Sequence, residues 1–326
     1  MTNTRLLTSV PEAAEMLRAG ELVAFPTETV YGLGADATKP ESVARIFESK
    51  GRPSFDPLIV HTHSINRVRG LVRDWPHAAQ LLAERFWPGP LTLVLPKTDQ
   101  IPDIVTAGLP GTGLRIPEHP VARDLLQQAD IPVAAPSANP FSGISPTTAQ
   151  HVLDGLGGRI DAVLDGGPTT VGLESTVVSL MEDQPSLLRP GGLPPEEIEA
   201  VVGPLRRVAV DPEQPDAAQP APGMLSRHYA PGTQLTLCPW ETELPAPPTD
   251  NSGLLTWGPT AAPAGYAAVE RLSEDDCLVT CAANLFAAMR SLDSQDLDAI
   301  IAAGFPEQGL GIAMNDRLRR AASKEK

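Results

Sequence analysis

From the N-terminus to about Leu205, apolar runs of strand length alternate with apolar residues at helical spacing. The strand-like runs are Leu22 to Phe25, Leu58 to His61, Leu91 to Leu95, Gly113 to Ile116, Val133 to Ala135, Ala162 to Leu164 and Ser175 to Leu180. A helix is predicted over Pro40 to Ser49, with proline in its first turn and Val43, Ile46 and Phe47 at i, i+3 and i+4. Another is predicted to begin near Thr147, with Gln150 three residues on as a capping box. This alternation predicts a mixed α/β domain. Further on, strand-like Gln234 to Cys238, Leu254 to Trp257 and Ala299 to Ala303 accompany helices from about Val279 to Ser291 and from about Ile312. They predict a second, smaller α/β unit. Between the two, the stretch DPEQPDAAQPAPGMLSRHYAP, Asp211 to Pro231, reads as an extended linker. The predicted division is therefore 1–205, a linker over 206–232, and 233–326.

Length agrees with that division, since 326 residues at about 150 per domain gives two. No apolar run approaches the roughly 18 residues of a membrane span, and the first residues lack a secretory pattern, so the expected location is the cytoplasm. Three cysteines cannot form a disulfide framework; Cys277 and Cys281 have no Cys or His cluster to complete a zinc site. The formal charge of -15 is the wrong sign for gripping a phosphate backbone, and both predicted parts are acidic, so no stable nucleic-acid binding is expected. The 35 prolines are roughly twice the usual share, which points to extended or turn-rich segments.

GLGADA, Gly32 to Ala37, imitates a dinucleotide-binding turn, but it does not lead directly into a helix, and no acidic residue ends a second strand. Neither a P-loop nor a Gly-x-Ser-x-Gly elbow is present. His61 and His63 have the spacing of strand-borne metal ligands, with no third ligand evident. The basic residues say more. Lys50 and Arg52 end a helix, where they complement its dipole. Taken with Arg115, with Ser137 and Asn139, and with Arg189, each where a strand gives way to a loop, they make an anion site in the crevice of an open α/β sheet. The expected ligand is a polyphosphate or a carboxylate.

The same segments carry a resemblance. PTETVYGLGA from Pro26, KGRPSFDPLIVH from Lys50, WPGPLTLVL from Trp87, LRIPEHP from Leu114, APSAN from Ala135, SPT from Ser145, DGG from Asp165, ESTVV from Glu174 and LRPG from Leu188 occur in one order. Together they closely resemble the threonylcarbamoyl-adenylate synthase family (Sua5/YrdC/YwlC) over roughly the first 205 residues. APGMLSRHYAP before the second unit, and GFPEQGLGIAMNDRLRRAA near the end, resemble the linker and C-terminal domain of its longer members. The resemblance implies a YrdC-like twisted mixed sheet with flanking helices and a smaller Rossmann-like α/β C-terminal domain. It also implies that ATP, L-threonine and bicarbonate (or carbon dioxide) give L-threonylcarbamoyl-AMP and pyrophosphate. A separate tRNA-modifying transferase then uses the adenylate to form threonylcarbamoyladenosine. By motif position, Lys50 and Arg52 are the catalytic Lys-x-Arg element and, with Ser137 and Asn139, meet the nucleotide phosphates. Ser54, Gly111, Ser145 and Arg189 match nucleotide-side positions, and Tyr229 matches a lid over the site. Thr27, His61, Arg115, Ala135 and Ser175 match the threonine side, with Arg115 suited to a bidentate grip on a carboxylate. Gly111 stands where the family more often has Thr. Magnesium is expected with ATP, held mainly by phosphates and water. Two other readings are an RNA-binding or ribosome-assembly module of this fold, disfavoured by the charge, and a carbamoyl-adenylating transferase, whose extra domains this chain lacks.

Overall fold

The computed structural model describes residues 3–53, 55–208, 228–259 and 261–323. Ser54 and most of the proline-dense linker lie outside them. The first unit is built on strands β1 (Arg5–Leu7), β2 (Val23–Phe25), β3 (Gly32–Asp36), β4 (Ile59–His61), β5 (Leu91–Pro96), β6 (Gly111–Arg115), β7 (Val133–Ala134), β8 (Ala162–Leu164), β9 (Thr176–Ser179), β10 (Ser186–Arg189) and β11 (Arg206–Arg207). They form one mixed sheet in the order β1-β8-β2-β3-β7-β4-β6-β5-β9-β10-β11. The two-residue period of the strands sends alternate side chains to opposite faces. Leu22, Ala24, Ala134 and Val163 join one core with the helices Pro40–Lys50, His77–Phe86 and Ala149–Leu156. Val23, Phe25, Val133 and Leu164 join another with the helices Val10–Ala19 and Pro120–Ala129. Both faces are covered, as a largely apolar sheet requires.

Two local expectations change. The helix predicted near Thr147 is capped by Thr148, whose side chain accepts from the His151 N–H, while Gln150 turns outward to Asp154. GLGADA supplies β3, antiparallel to β2 and β7. A Cβ on Gly34 would come within 2.9 Å of Phe25, so this glycine is needed for close strand packing and not for a cofactor turn.

The second unit has four parallel strands, β12 (Leu235–Cys238), β13 (Ser252–Thr256), β14 (Ala268–Arg271) and β15 (Ala299–Ala303), in the order β12-β15-β13-β14. Helices Leu278–Asp293 and Leu310–Ala321 flank it. Its core is shared: Val30, Ile144 and Leu173 of the first unit, and Tyr229 between the units, pack with Leu285, Phe286 and Met289. Gly172 lets the backbones touch, since a Cβ there would lie 2.4 Å from the Ala282 carbonyl oxygen. Among the described residues no helix is long and apolar enough to cross a membrane.

Candidate active site

A buried cavity opens over the sheet face that carries Ile59, His61 and Ala135. Arg115 ends β6, beside His61 at the end of β4. β7 runs antiparallel to β4, so Ala135 lies beside Ile59. The site therefore extends along the sheet and is not confined to one carboxyl edge. Thr27, Arg52, His61, Arg115, Ala135, Ser137, Ser175, Arg189 and Tyr229 all line it.

The turn after β2 is fixed locally. The Thr27 hydroxyl donates to the Val30 carbonyl at 2.6 Å and accepts from the N–H groups of Thr29 and Val30. Arg115 is anchored to the same turn, with Nη2 on Glu28 at 2.6 Å, Nη1 on the Thr29 hydroxyl at 2.9 Å and Nε on the Gly89 carbonyl at 3.2 Å. Those bonds take three of the five guanidinium N–H groups and leave one on each Nη, the pair that a ligand carboxylate needs. Beneath it His61 is pushed down to about 3 by burial and by the Arg115 charge, so its ring is neutral at pH 7.

On the other side, the helix Pro40–Lys50 ends at Gly51 with φ +64°, and Arg52 N donates back to the Phe47 carbonyl at 2.9 Å. That left-handed turn aims Arg52 into the cavity, where Asp56 pairs with it at 3.0 Å. Lys50 does not reach the cavity. Its buried Nζ donates to the carbonyls of Ser137, at 2.6 Å, and Asn139, so it shapes the Ser137–Asn139 turn. Asn139 stands behind the same turn, with Nδ2 on the Gly143 carbonyl at 2.8 Å. Arg189, from the end of β10, donates to the Ser175 carbonyl at 2.9 Å, and the Ser175 hydroxyl meets Thr92 at 2.7 Å. Gly111 lies apart, at the opposite end of β6 from Arg115, in a separate crevice with Thr106 and Val177. There a Cβ would lie 2.8 Å from the Met181 sulfur.

Glu174 and Arg317 escaped the sequence reading, and Tyr229 did not. Glu174 lines the cavity and accepts from Ser145 Oγ at 2.5 Å and from Arg317 Nε at 2.8 Å. Burial pushes its carboxyl up, but Arg317 and Arg189 outweigh that and hold it below the usual carboxylate range. Tyr229, at φ +61°, stacks on Phe286 at 5.6 Å, with His228 edge-on and the Arg317 guanidinium 4.9 Å from the ring centre. Burial, with Arg52 and Lys50 nearby, drives His228 well below the ordinary histidine range. Around one small space stand Lys50, Arg52, Arg115, Arg189 and Arg317, against the carboxylates Glu28, Asp56, Glu174 and Asp316. A chain of net charge -15 has concentrated buried cations here. His63 turns away to Asp130, and among the described residues no group of three His, Cys, Asp or Glu side chains could hold a metal.

A polar, arginine-walled cavity on a doubly covered mixed sheet defines an α/β enzyme of anionic substrates. Comparison with known proteins narrows the class. A family model described as Telomere recombination matches residues 15–191, and one described as Threonylcarbamoyl-AMP synthase, C-terminal domain, matches residues 193–323. The threonylcarbamoyl-AMP synthase of Pyrococcus abyssi is 45% identical over 322 residues, covering 95% of this chain and 93% of the relative. That of Bacillus subtilis is 44% identical over 323 residues, covering 96% and 92%. A crystal structure of P. abyssi Sua5 complexed with L-threonine superposes with a TM-score of 0.87 at 41% identity, over 99% of this chain and 97% of that one. The chain belongs to the threonylcarbamoyl-AMP synthase family, in its two-unit form.

Proposed function

We propose that this enzyme makes L-threonylcarbamoyl-AMP and pyrophosphate from ATP, L-threonine and bicarbonate or carbon dioxide. The observation that carries the proposal is the convergence of Arg52, Arg115 and Arg189, all buried, on one cavity. The threonine amine attacks carbon dioxide, or bicarbonate with loss of water, to give a carbamate. The carbamate oxygen then attacks the α-phosphorus of ATP, and pyrophosphate leaves. Every reacting species is an anion or becomes one, so positioning and charge neutralisation do most of the work.

Arg115, with two N–H groups left, takes the threonine carboxylate, and Thr27, neutral His61, Ala135 and Ser175 close around the amino acid. Arg52, Ser137 and Arg189 face the nucleotide, with Lys50, Asn139 and Ser145 supporting them from behind. Ser54 completes the nucleotide side by motif position only, and Gly111, in its separate crevice, does not reach it. Glu28, Asp56 and Glu174 are each engaged by an arginine, so the wall offers no ready carboxylate to magnesium. The ion enters as part of the ATP substrate, held by phosphates and water. The setting is cytoplasmic, and the adenylate passes to a separate tRNA-modifying transferase.

As it stands the cavity has a volume of about 50 Å³. Ligand pockets run to roughly 300 Å³ and more. ATP needs a wider cavity than this, and the His228–Tyr229 turn in its wall supports reading the 206–232 stretch as a lid between a catalytic unit (1–205) and a C-terminal unit (233–326). The chain, supplied with ATP, L-threonine, bicarbonate and magnesium, is expected to release pyrophosphate, and omission of threonine or bicarbonate should abolish it. Release indifferent to threonine would overturn the proposal. Deleting residues 211–231 should lower the rate at least tenfold; a full rate would remove the lid from the account.

A further inference from the structure

We propose that Arg317, in the last helix of the second unit, is a positioning residue of the active site, setting the nucleotide side of the cavity by holding Glu174, the Pro190 carbonyl and the Tyr229 ring together. The inference rests on the function proposed above and assigns the second unit a part in it.

Arg317 is the largest side chain in the molecule with no solvent exposure. Each edge of its guanidinium is used: Nε donates to Glu174 Oε2 at 2.8 Å, Nη1 to Asp316 at 2.6 Å and Nη2 to the Pro190 carbonyl at 3.0 Å. Asp316 is braced in turn by Arg320 at 3.0 Å. Its guanidinium carbon lies over the Tyr229 ring, 4.9 Å from the centre. Glu174 and Tyr229 line the cavity, and Pro190 follows Arg189, which does so too. An arginine that only glued the two units could sit anywhere on their boundary. Arg290 has that lesser role, donating to the carbonyls of Ile144 and Ser145 behind the cavity wall.

The planar, forked group is what allows three in-plane bonds and one stacked contact at once. Glu174 passes the constraint on, because its other oxygen takes the Ser145 hydroxyl at 2.5 Å. One side chain thus fixes the loop before β9, the loop after β10 and the tyrosine between the units. On the threonine side, Arg115, Glu28 and Thr29 share none of these bonds, and the Ser175 hydroxyl, though next to Glu174, is held by Thr92 and not by Arg317. The expected signature is therefore selective: nucleotide affinity suffers, and threonine affinity does not.

The test uses the full chain with the substitutions Arg317→Lys, Arg317→Gln and Glu174→Gln, ATP binding by titration calorimetry, and steady-state pyrophosphate release. Arg317→Lys keeps the charge but loses the fork, and should raise the KM for ATP roughly tenfold, as expected for one charge-assisted bond lost. Arg317→Gln should raise it further, while the KM for threonine stays within about twofold in both. Glu174→Gln should give part of the ATP defect, and adding Arg317→Gln to it should cost less than the product of the two single effects. An unchanged KM for ATP in folded Arg317→Lys, or ATP and threonine constants rising in step, overturns the proposal. Should Arg317→Gln fail to fold, the lysine variant decides alone. Parent enzyme that binds ATP without threonine-dependent turnover refutes the proposed reaction instead, and calorimetry still compares parent with Arg317→Lys.

Discussion

His61 shows how one buried ring links the site to stability. Its pKa of about 3 in the folded chain lies below the roughly 6.5 of an unfolded histidine, so between these values the unfolded chain binds the proton more readily. Stability is then highest above pH 6.5 and declines as pH falls through that window, by up to about 1.4 kcal/mol per pH unit for this group. Replacing His61 by Gln should flatten the decline between pH 6 and 4, read from urea midpoints at each pH. An unaltered slope would mean that the ring is not held neutral. Lys50 is a second instructive residue. Motif reading placed it against the phosphates, but its ammonium is held by two carbonyls of the turn that carries Ser137. Burial first, and Arg52 next, hold its ammonium well below the usual lysine range, and Arg52 is the member of the pair that lines the cavity.

At the scale of elements, the loop before β9, which carries Glu174, and the loop after β10 are pressed together. A Cβ on Gly191 would fall 2.3 Å from the Glu174 carbonyl oxygen and 2.5 Å from the Ser175 carbonyl carbon. Backbone atoms cannot yield as a side-chain tip can, so Gly191→Ala should cost about 1–3 kcal/mol or more by overpacking. A denaturant midpoint equal to that of the parent would show that the loops are free to separate. Elements of this kind were only partly legible in the sequence. The helices Pro40–Lys50 and Leu278–Asp293 and the strand Ala299–Ala303 announce themselves through caps, spacing and β-branched runs, which are local signals. β1 is three residues long and gains its place by pairing with β8, far along the chain, so no short-range pattern reveals it. The convergence of Arg52, Arg115 and Arg189 was legible because each follows an ordinary strand or helix end. Arg317 was hidden, since a basic residue late in an amphipathic helix reads first as a complement to the helix dipole.

For the molecule as a whole, the shared core matters most. Val30, Ile144, Leu173 and Tyr229 are buried among Leu285, Phe286 and Met289 of the other unit, so the two halves share one of their cores. Calorimetry should show one unfolding transition for the full chain, shifted upward as a single peak by ATP with threonine. Two peaks, only one of which responds to ligand, would argue for independent units. The charge distribution fits the same picture: the chain is net acidic at -15, while buried cations cluster around the cavity, each beside a carboxylate or a carbonyl. The placement of the helix Leu310–Ala321 has one more consequence, in the order of synthesis. Glu174 is made long before its partner Arg317, which lies 143 residues further along the chain. The wall of the cavity thus gains this support only after the second unit has been made, and a chain synthesised only as far as β15 carries an active site without its brace.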